Sequence, residues 1–339
     1  MRTQGWLLAP SMQCRVCAAG NAHEIGEVEY YLGFSWKILD CLACSCRFTK
    51  HEDSIYDWLH SQSASIYGLY RELVETCKSL FDQNDLDGLK RELCRAAKYK
   101  FVIEAVEQQP RSSRLLEVGC ARGHLTSYFI LAGYNITGSD VSADAIAGAR
   151  RAFGDHFIPA NSSAIENAGP YDVIYHVGLI GCVGDPLMLT SDLLKMLKPG
   201  GKLFFNAPNA DSCGLNGQLW IDAAPPPDVV TLFRPGFWQK HFGPVADVVE
   251  QVEMVAPEEA SAIALRKLFG QQWSKPVPLP LDASADDYQK GRTESFGWNG
   301  KVWRVFERGV LKLGRISGLL RVTAGQPSPF GLFVKMTKK

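Results

Sequence analysis

The apolar positions in the middle of this chain alternate between short runs and helical stripes, the pattern of strands exchanging with helices. Arg114–Val118 is a short apolar run that predicts a strand, and it gives way to small residues, Gly119-Cys120-Ala121-Arg122-Gly123. Leu125, Tyr128, Phe129 and Leu131 then recur at helical spacing until Gly133 ends the helix. Residues 134–138 predict a second strand, which delivers Asp140 to its carboxyl edge. The alternation over 245–255 predicts a further strand, and 330–337 is the best match for a last one.

Upstream, Tyr67, Tyr70, Leu73, Val74, Cys77, Leu80 and Phe81 share one face of an expected helix. Leu89, Leu93, Ala96, Ala97 and residues 101–106 predict a second, which Pro110 ends. Between these last two strands, helices are expected at 257–269 and 301–320 around a proline-rich stretch. The second is amphipathic and basic, which reads as a solvated face. There are no internal repeats.

Composition narrows the class. An apolar share of 46% with 21% charged residues is that of a globular chain, and 339 residues suffice for a large core. Lys plus Arg and Asp plus Glu are 36 each, so no global field draws the protein to nucleic acid or an anionic membrane, and a small-molecule partner is expected. The first ten residues lack the apolar run of a signal peptide, and no stretch approaches the ~20 apolar residues of a membrane span. A cytoplasmic location is expected, with the 10 cysteines reduced. The pattern does not disclose an oligomeric state.

Four of those cysteines are arranged for a metal. Cys14, Cys17, Cys41 and Cys44 read as C-x2-C, 23 residues, C-x2-C, a spacing that brings two knuckle-like turns together around a tetrahedral zinc. Four thiolates leave no open coordination position, so the ion is expected to be structural. Cys46 is an alternative to Cys44, and His23 an outside candidate. The stretch between the knuckles, 30–39, is expected to be strand.

A glycine-bearing turn after a strand is common to nucleotide-binding units, so the spacing must discriminate. Gly119 and Gly123 stand four apart with Ala121 between them and no third glycine where a dinucleotide loop requires one. The stretch Glu117-Val118-Gly119-Cys120-Ala121-Arg122-Gly123 instead resembles motif I of the class I S-adenosylmethionine (SAM)-dependent methyltransferases, with Ala121 departing at the middle glycine. Residues 157–163, 171–176 and 193–205 are similar to that family's third strand with its adenine-side turn, its motif IV, and its L-K-P-G-G turn and fifth strand. A zinc ribbon before the core also resembles many methyltransferases of natural-product and sugar pathways.

The resemblance implies an α/β, Rossmann-like fold with a seven-stranded sheet, its last two strands antiparallel. The expected organisation is a ribbon over 1–53, a helical lid over 54–110, the SAM-binding core over 111–255, an insertion over 256–327 and the last strand over 328–339. It implies SAM and structural Zn2+ as cofactors. Glu117, Gly119, Ala121 and Gly123 would surround the methionine part, Asp140 the ribose hydroxyls, and Asn161 or Ser162 the adenine. Tyr67, Tyr70, Asn209, Trp220 and His241 are candidates for the substrate pocket, because the lid and the segment after the fifth strand border it.

SAM carries its own leaving group, so few catalytic side chains are needed. Tyr175, His176 and Asn206 are the candidates, and His176 has the better base chemistry. The implied function is methyl transfer to a small molecule of secondary or sugar metabolism. Ribbon-bearing relatives commonly have Glu-His shortly after motif IV and Pro-His-His after the fifth strand, where this chain has Gly181-Cys182 and Pro226-Pro227-Asp228. That departure opens an alternative resembling the azetidine-2-carboxylate synthases: the amine of SAM displaces sulfur at its own γ-carbon, releasing methylthioadenosine, with Tyr175, Asn206 and Asn209 orienting the amine. A non-catalytic SAM-binding module is a third reading.

Overall fold

The computed structural model describes residues 12–29, 35–49, 71–160, 165, 169–214, 219–221, 226, 228–254, 309 and 329–339. Tyr67, Tyr70, Asn161 and Ser162 lie outside the described residues, as does all of the expected insertion over 256–327 except Gly309.

The N-terminal region is a small antiparallel sheet, β1 (Ala22–Glu29), β2 (Ser35–Cys41) and β3 (Arg47–Thr49). Where one strand is expected between the knuckles, two pair from Ala22 opposite Cys41 to Glu29 opposite Ser35. β1 escapes the sequence pattern because it is largely polar and its register slips between Glu24 and Gly26.

Three helices follow, α1 (Arg71–Asp82), α2 (Leu86–Leu93) and α3 (Ala97–Glu107). The single second helix expected across 89–106 is thus broken. Cys94, Arg95 and Ala96 form a turn closed by Ala96 N–H to Leu93 O at 3.1 Å, and Ala96 is extended at φ −97°, ψ 122°. The break lets both apolar stripes reach one core, since Leu89 and Leu93 on α2 and Val102, Ile103 and Val106 on α3 are all fully buried there.

The core alternates as the sequence predicts: β4 (Arg114–Val118), α4 (His124–Leu131), β5 (Asn135–Asp140), α5 (Ala143–Phe153), β6 (Phe157–Pro159), β7 (Tyr171–His176), α6 (Pro186–Met196) and β8 (Leu197–Pro208). Local chemistry sets the helix starts. Ser142 caps α5 by accepting from Ala145 N–H, and Asp185 caps α6 by accepting from Met188 N–H, with Pro186 inside the first turn. After β8 come α7 (Asp211–Gly214), β9 (Thr231–Leu232), α8 (Phe237–Phe242), β10 (Ala246–Met254) and β11 (Pro329–Lys338).

The seven-stranded sheet runs β10-β11-β8-β7-β4-β5-β6, and β11 is antiparallel to both its neighbours. Its alternating side chains serve two apolar layers. Leu116, Ile174, Leu203 and Phe205 pack on the side of Trp238 and the ribbon, while Leu115, Val173, Tyr175 and Phe204 pack on the side of α2 to α4. From β4 the chain proceeds outward to β5 and β6, then returns to β7 and β8 on the other flank. The strand order therefore reverses between β4 and β7, and a ligand crevice is expected beyond their carboxyl ends. Among the described residues, no helix is long and apolar enough to cross a membrane.

Candidate SAM site and metal cluster

The loop leaving β4 is held by its own backbone. Gly119 and Cys120 N–H both donate to Ser139 O, at 2.8 and 2.9 Å, and Gly123 N–H donates to Cys120 O at 2.9 Å. Gly119, Ala121 and Gly123 have φ of +72°, +49° and +78°. A Cβ on Gly123 would stand 2.6 Å from the Phe157 ring, so both conformation and space require glycine there. Ala121, at the family's middle glycine, adopts the left-handed conformation at a cost of about 1–2 kcal/mol.

Asp140, at the end of β5, faces this loop. Its carboxylate accepts from Ala121 N–H at 2.9 Å and Ser142 N–H at 2.8 Å. Burial raises its pKa and these donors pull it back, with a net displacement upward. Glu117 lies inside, 4% exposed, and accepts from the hydroxyls of Thr126 and Tyr175. Its burial, reinforced by the Asp140 charge, pushes its pKa to about 8 against those two donors.

The three catalytic candidates are not together in one open space. Tyr175 and His176 are the last residues of β7 and point to opposite faces of the sheet. Tyr175 is fully buried beside Phe129, with its hydroxyl 3.1 Å from Glu117 Oε2. His176 is fully buried on the other face, stacked on Phe205 at 4.7 Å, and neither ring nitrogen has a hydrogen-bond partner among the described residues. Burial drops its pKa to about 3. Asn206, half-buried on β8, accepts from Gly178 N–H at 2.8 Å and so ties the carboxyl ends of β7 and β8.

The pocket candidates within the described residues also have places in the fold. Asn209 is buried, and its Oδ1 accepts from Asp211 N–H at 3.0 Å while its Nδ2 has no partner among the described residues. Trp220 is fully buried with Trp36 and Ile38 of β2 and Leu232 of β9, packed on the ribbon sheet. His241 sits on α8, its ring 4.5 Å from that of Phe237, and burial lowers its pKa.

At the other end of the ribbon, the sulfurs of Cys14, Cys17, Cys41 and Cys44 all lie within 4.8 Å of one another. Cys14 Sγ is 3.7 Å from Cys44 Sγ, and Cys17 Sγ is 3.7 Å from Cys41 Sγ. Those separations are far from a disulfide, and tetrahedral thiolates at about 2.3 Å from an ion would stand about 3.8 Å apart. Cys44, rather than Cys46, completes the four.

Several residues that matter to this architecture escape the sequence reading. Tyr99 OH pairs with His124 Nε2 at 2.8 Å, joining α3 to the helix that follows the loop, and burial drops the His124 pKa to about 4. Arg15 and Arg234 join the ribbon to the core. His124 follows Gly123 directly, a signal available in the sequence; the arginines carry none, since their partners are backbone carbonyls and acids distant along the chain.

Residues 88–253 match the family described as Methyltransferase domain. The ubiquinone biosynthesis O-methyltransferase of Cronobacter sakazakii is 30% identical over 117 residues, 32% of this chain and 46% of that protein. The malonyl-(acyl-carrier protein) O-methyltransferase of Enterobacter lignolyticus is 33% identical over 119 residues, 34% of this chain and 47% of that protein. The chain thus spans about half the length of the curated relatives it matches. Among solved structures, the plantazolicin methyltransferase BpumL in complex with a monoazolic desmethylPZN analog and SAH is similar over 85% of this chain and 98% of its own, at 14% identity and a TM-score of 0.39.

Proposed function

We propose, from the match of residues 88–253 to the family described as Methyltransferase domain, that this chain transfers the methyl group of SAM to an oxygen of a small-molecule acceptor of secondary or sugar metabolism. The observation that carries the reading is the left-handed loop after β4 closed by Asp140 from β5, at the point where the strand order reverses. Gly119, Ala121 and Gly123 would border the methionine part of SAM. The Asp140 carboxylate has acceptor capacity beyond its two backbone donors, which suits ribose hydroxyls. SAM supplies the activated methyl, and the chain's part is to align the acceptor and exclude water.

Both relatives named above are O-methyltransferases, which supports oxygen as the attacked atom. The ribbon ahead of the core, resembling those of natural-product and sugar methyltransferases, supports a small-molecule acceptor. For the four thiols we propose a structural Zn2+, supported by their mutual spacing and the lack of an open coordination position. The cyclisation reading has less support. Tyr175 OH is engaged with Glu117, and Asn206 and Asn209 each accept from the backbone.

Two measurements test the proposal. Calorimetry should show binding of SAM but not NADH, and wild-type SAM affinity after Asp140→Ala would sink the assigned site. Incubation with SAM alone should yield almost no product, whereas an acceptor panel of phenols, carboxylic acids and sugars should yield S-adenosylhomocysteine. Methylthioadenosine from SAM alone would replace methyl transfer by cyclisation. SAM binding with no turnover across the panel would favour a non-catalytic module.

A further inference from the structure

The ribbon sheet continues into the core. β9 is its fourth strand, paired to β3, although it lies far downstream in the segment after β8. Thr49 N–H donates to Val230 O at 3.0 Å, and Val230 and Thr231 N–H donate to Gly181 O, in the loop after β7, at 2.8 and 3.0 Å. Phe233 N–H donates to Pro208 O at 2.8 Å, at the end of β8, and Phe233 O accepts from Ala210 N–H at 2.8 Å. Residues 230–233 are therefore hydrogen-bonded to the ribbon, to the β7 loop and to the end of β8. Gly181 leaves no slack in this arrangement: a Cβ there would meet Pro208 Cγ at 2.7 Å and Thr231 O at 3.1 Å.

Each metal knuckle adds its own tie. Arg15, between Cys14 and Cys17, donates to Val183 O at 3.3 Å and Gly184 O at 3.2 Å, in the loop after β7. Arg234, just beyond β9, donates to Ser45 O in the second knuckle at 2.8 Å, to Asp40 Oδ2 at 3.3 Å and to Asp211 Oδ1 at 3.0 Å. Asp40 is itself fixed by Arg47, which donates to its two oxygens at 2.8 and 2.9 Å. Asp211 in turn donates its N–H to Asn209 Oδ1. The Arg15 backbone in the first knuckle and the Ser45 carbonyl in the second are placed by the turns that carry the four cysteines. None of these hydrogen bonds reaches residues 119–123.

We infer that Arg15 and Arg234 are positioning residues through which the metal ribbon sets the loops at the carboxyl ends of β7 and β8. These are the acceptor side under the methyl-transfer reading, on which that designation rests. Ribbon occupancy then governs how the acceptor is held and leaves SAM affinity alone. A ribbon that merely covers the core would not couple to these loops selectively.

The test is amide hydrogen exchange on the full-length, zinc-loaded protein and its variants, with metal analysis and SAM calorimetry. Arg15→Ala should raise exchange in 178–184, and Arg234→Ala in 229–234, at least tenfold, with one equivalent of zinc retained and SAM Kd within threefold. Arg234→Lys, which keeps one cationic donor, should recover part of the protection. Removing zinc with a chelator should reproduce both local effects together. Unchanged exchange in both loops, or a rise spread equally over 114–140, would overturn the inference. Failure of the wild-type protein to bind SAM would instead sink the methyl-transfer reading, and the loop exchange would still decide the coupling.

Discussion

The Tyr175 hydroxyl donates to Glu117 Oε2 at 3.1 Å, in the buried layer below the left-handed loop that leaves β4. With Thr126 on the same oxygen, it surrounds a carboxyl that is buried and displaced upward to about 8. Folded Glu117 keeps its proton until about pH 8, while the unfolded chain releases it near 4.5. Between those values the unfolded state binds fewer protons, so stability from this group is full below the lower value and falls as pH rises through the window. Glu117→Gln, which cannot ionise, should flatten that decline. Urea denaturation between pH 5 and 8 should show the wild-type losing roughly 3 kcal/mol relative to the variant. Parallel declines would refute a protonated Glu117.

Gly123 makes the loop's geometry testable. Alanine there must adopt φ of +78° and force its Cβ toward the Phe157 ring. Gly123→Ala should cost about 1–3 kcal/mol of stability and weaken SAM binding at least tenfold. Adding Phe157→Leu should relieve the clash while the backbone strain persists, so recovery should be partial. Full affinity in the single variant would remove this turn from the site.

The parallel strands and Asp140 were legible because each is an uninterrupted local pattern, five to six residues whose alternation with helices needs no distant partner. β9 was not. It is Thr231-Leu232, two residues without a pattern of their own, whose strand character comes from β3 nearly two hundred residues earlier. The inward turn of Tyr175 was similarly hidden. Sequence places it at a strand's carboxyl end, where either face is available, and only the register with β4 and Phe129 sends its ring into the core. Trp220 reads as a pocket aromatic because its segment follows the fifth strand, yet its indole is buried in the ribbon's own apolar cluster.

His176 presents a buried ring whose two nitrogens have no hydrogen-bond partner among the described residues, an arrangement that costs about 1–3 kcal/mol per unsatisfied group. Burial holds it neutral, with a pKa of about 3. His176→Leu should therefore leave stability unchanged or raise it by roughly 1 kcal/mol, judged by urea midpoint at pH 7. Methyl transfer should persist within a few-fold, since the stacked ring is enclosed by Phe205. A hundredfold loss of kcat with SAM affinity intact would reinstate His176 as the base.

Cys44 and Cys46 stand two residues apart, both buried, and sequence alone cannot choose between them as the fourth ligand. The turn chooses. Ser45 is left-handed at φ +62°, its N–H donates to Cys41 O at 2.9 Å, and Cys41 N–H donates to Cys46 O at 2.9 Å. This folds Cys44 back toward Cys14, while Cys46 enters the strand-paired backbone and its sulfur stays outside the group of four. Cys46→Ser should retain about one equivalent of zinc, with the cost of a buried hydroxyl, about 1–3 kcal/mol, as its main effect. Cys44→Ser should lose the metal and, with it, much of the ribbon's folding energy, because a site of this kind is assembled only when the ion is bound. Metal analysis of the two purified variants checks the assignment; retention in Cys44→Ser with loss in Cys46→Ser would exchange their roles.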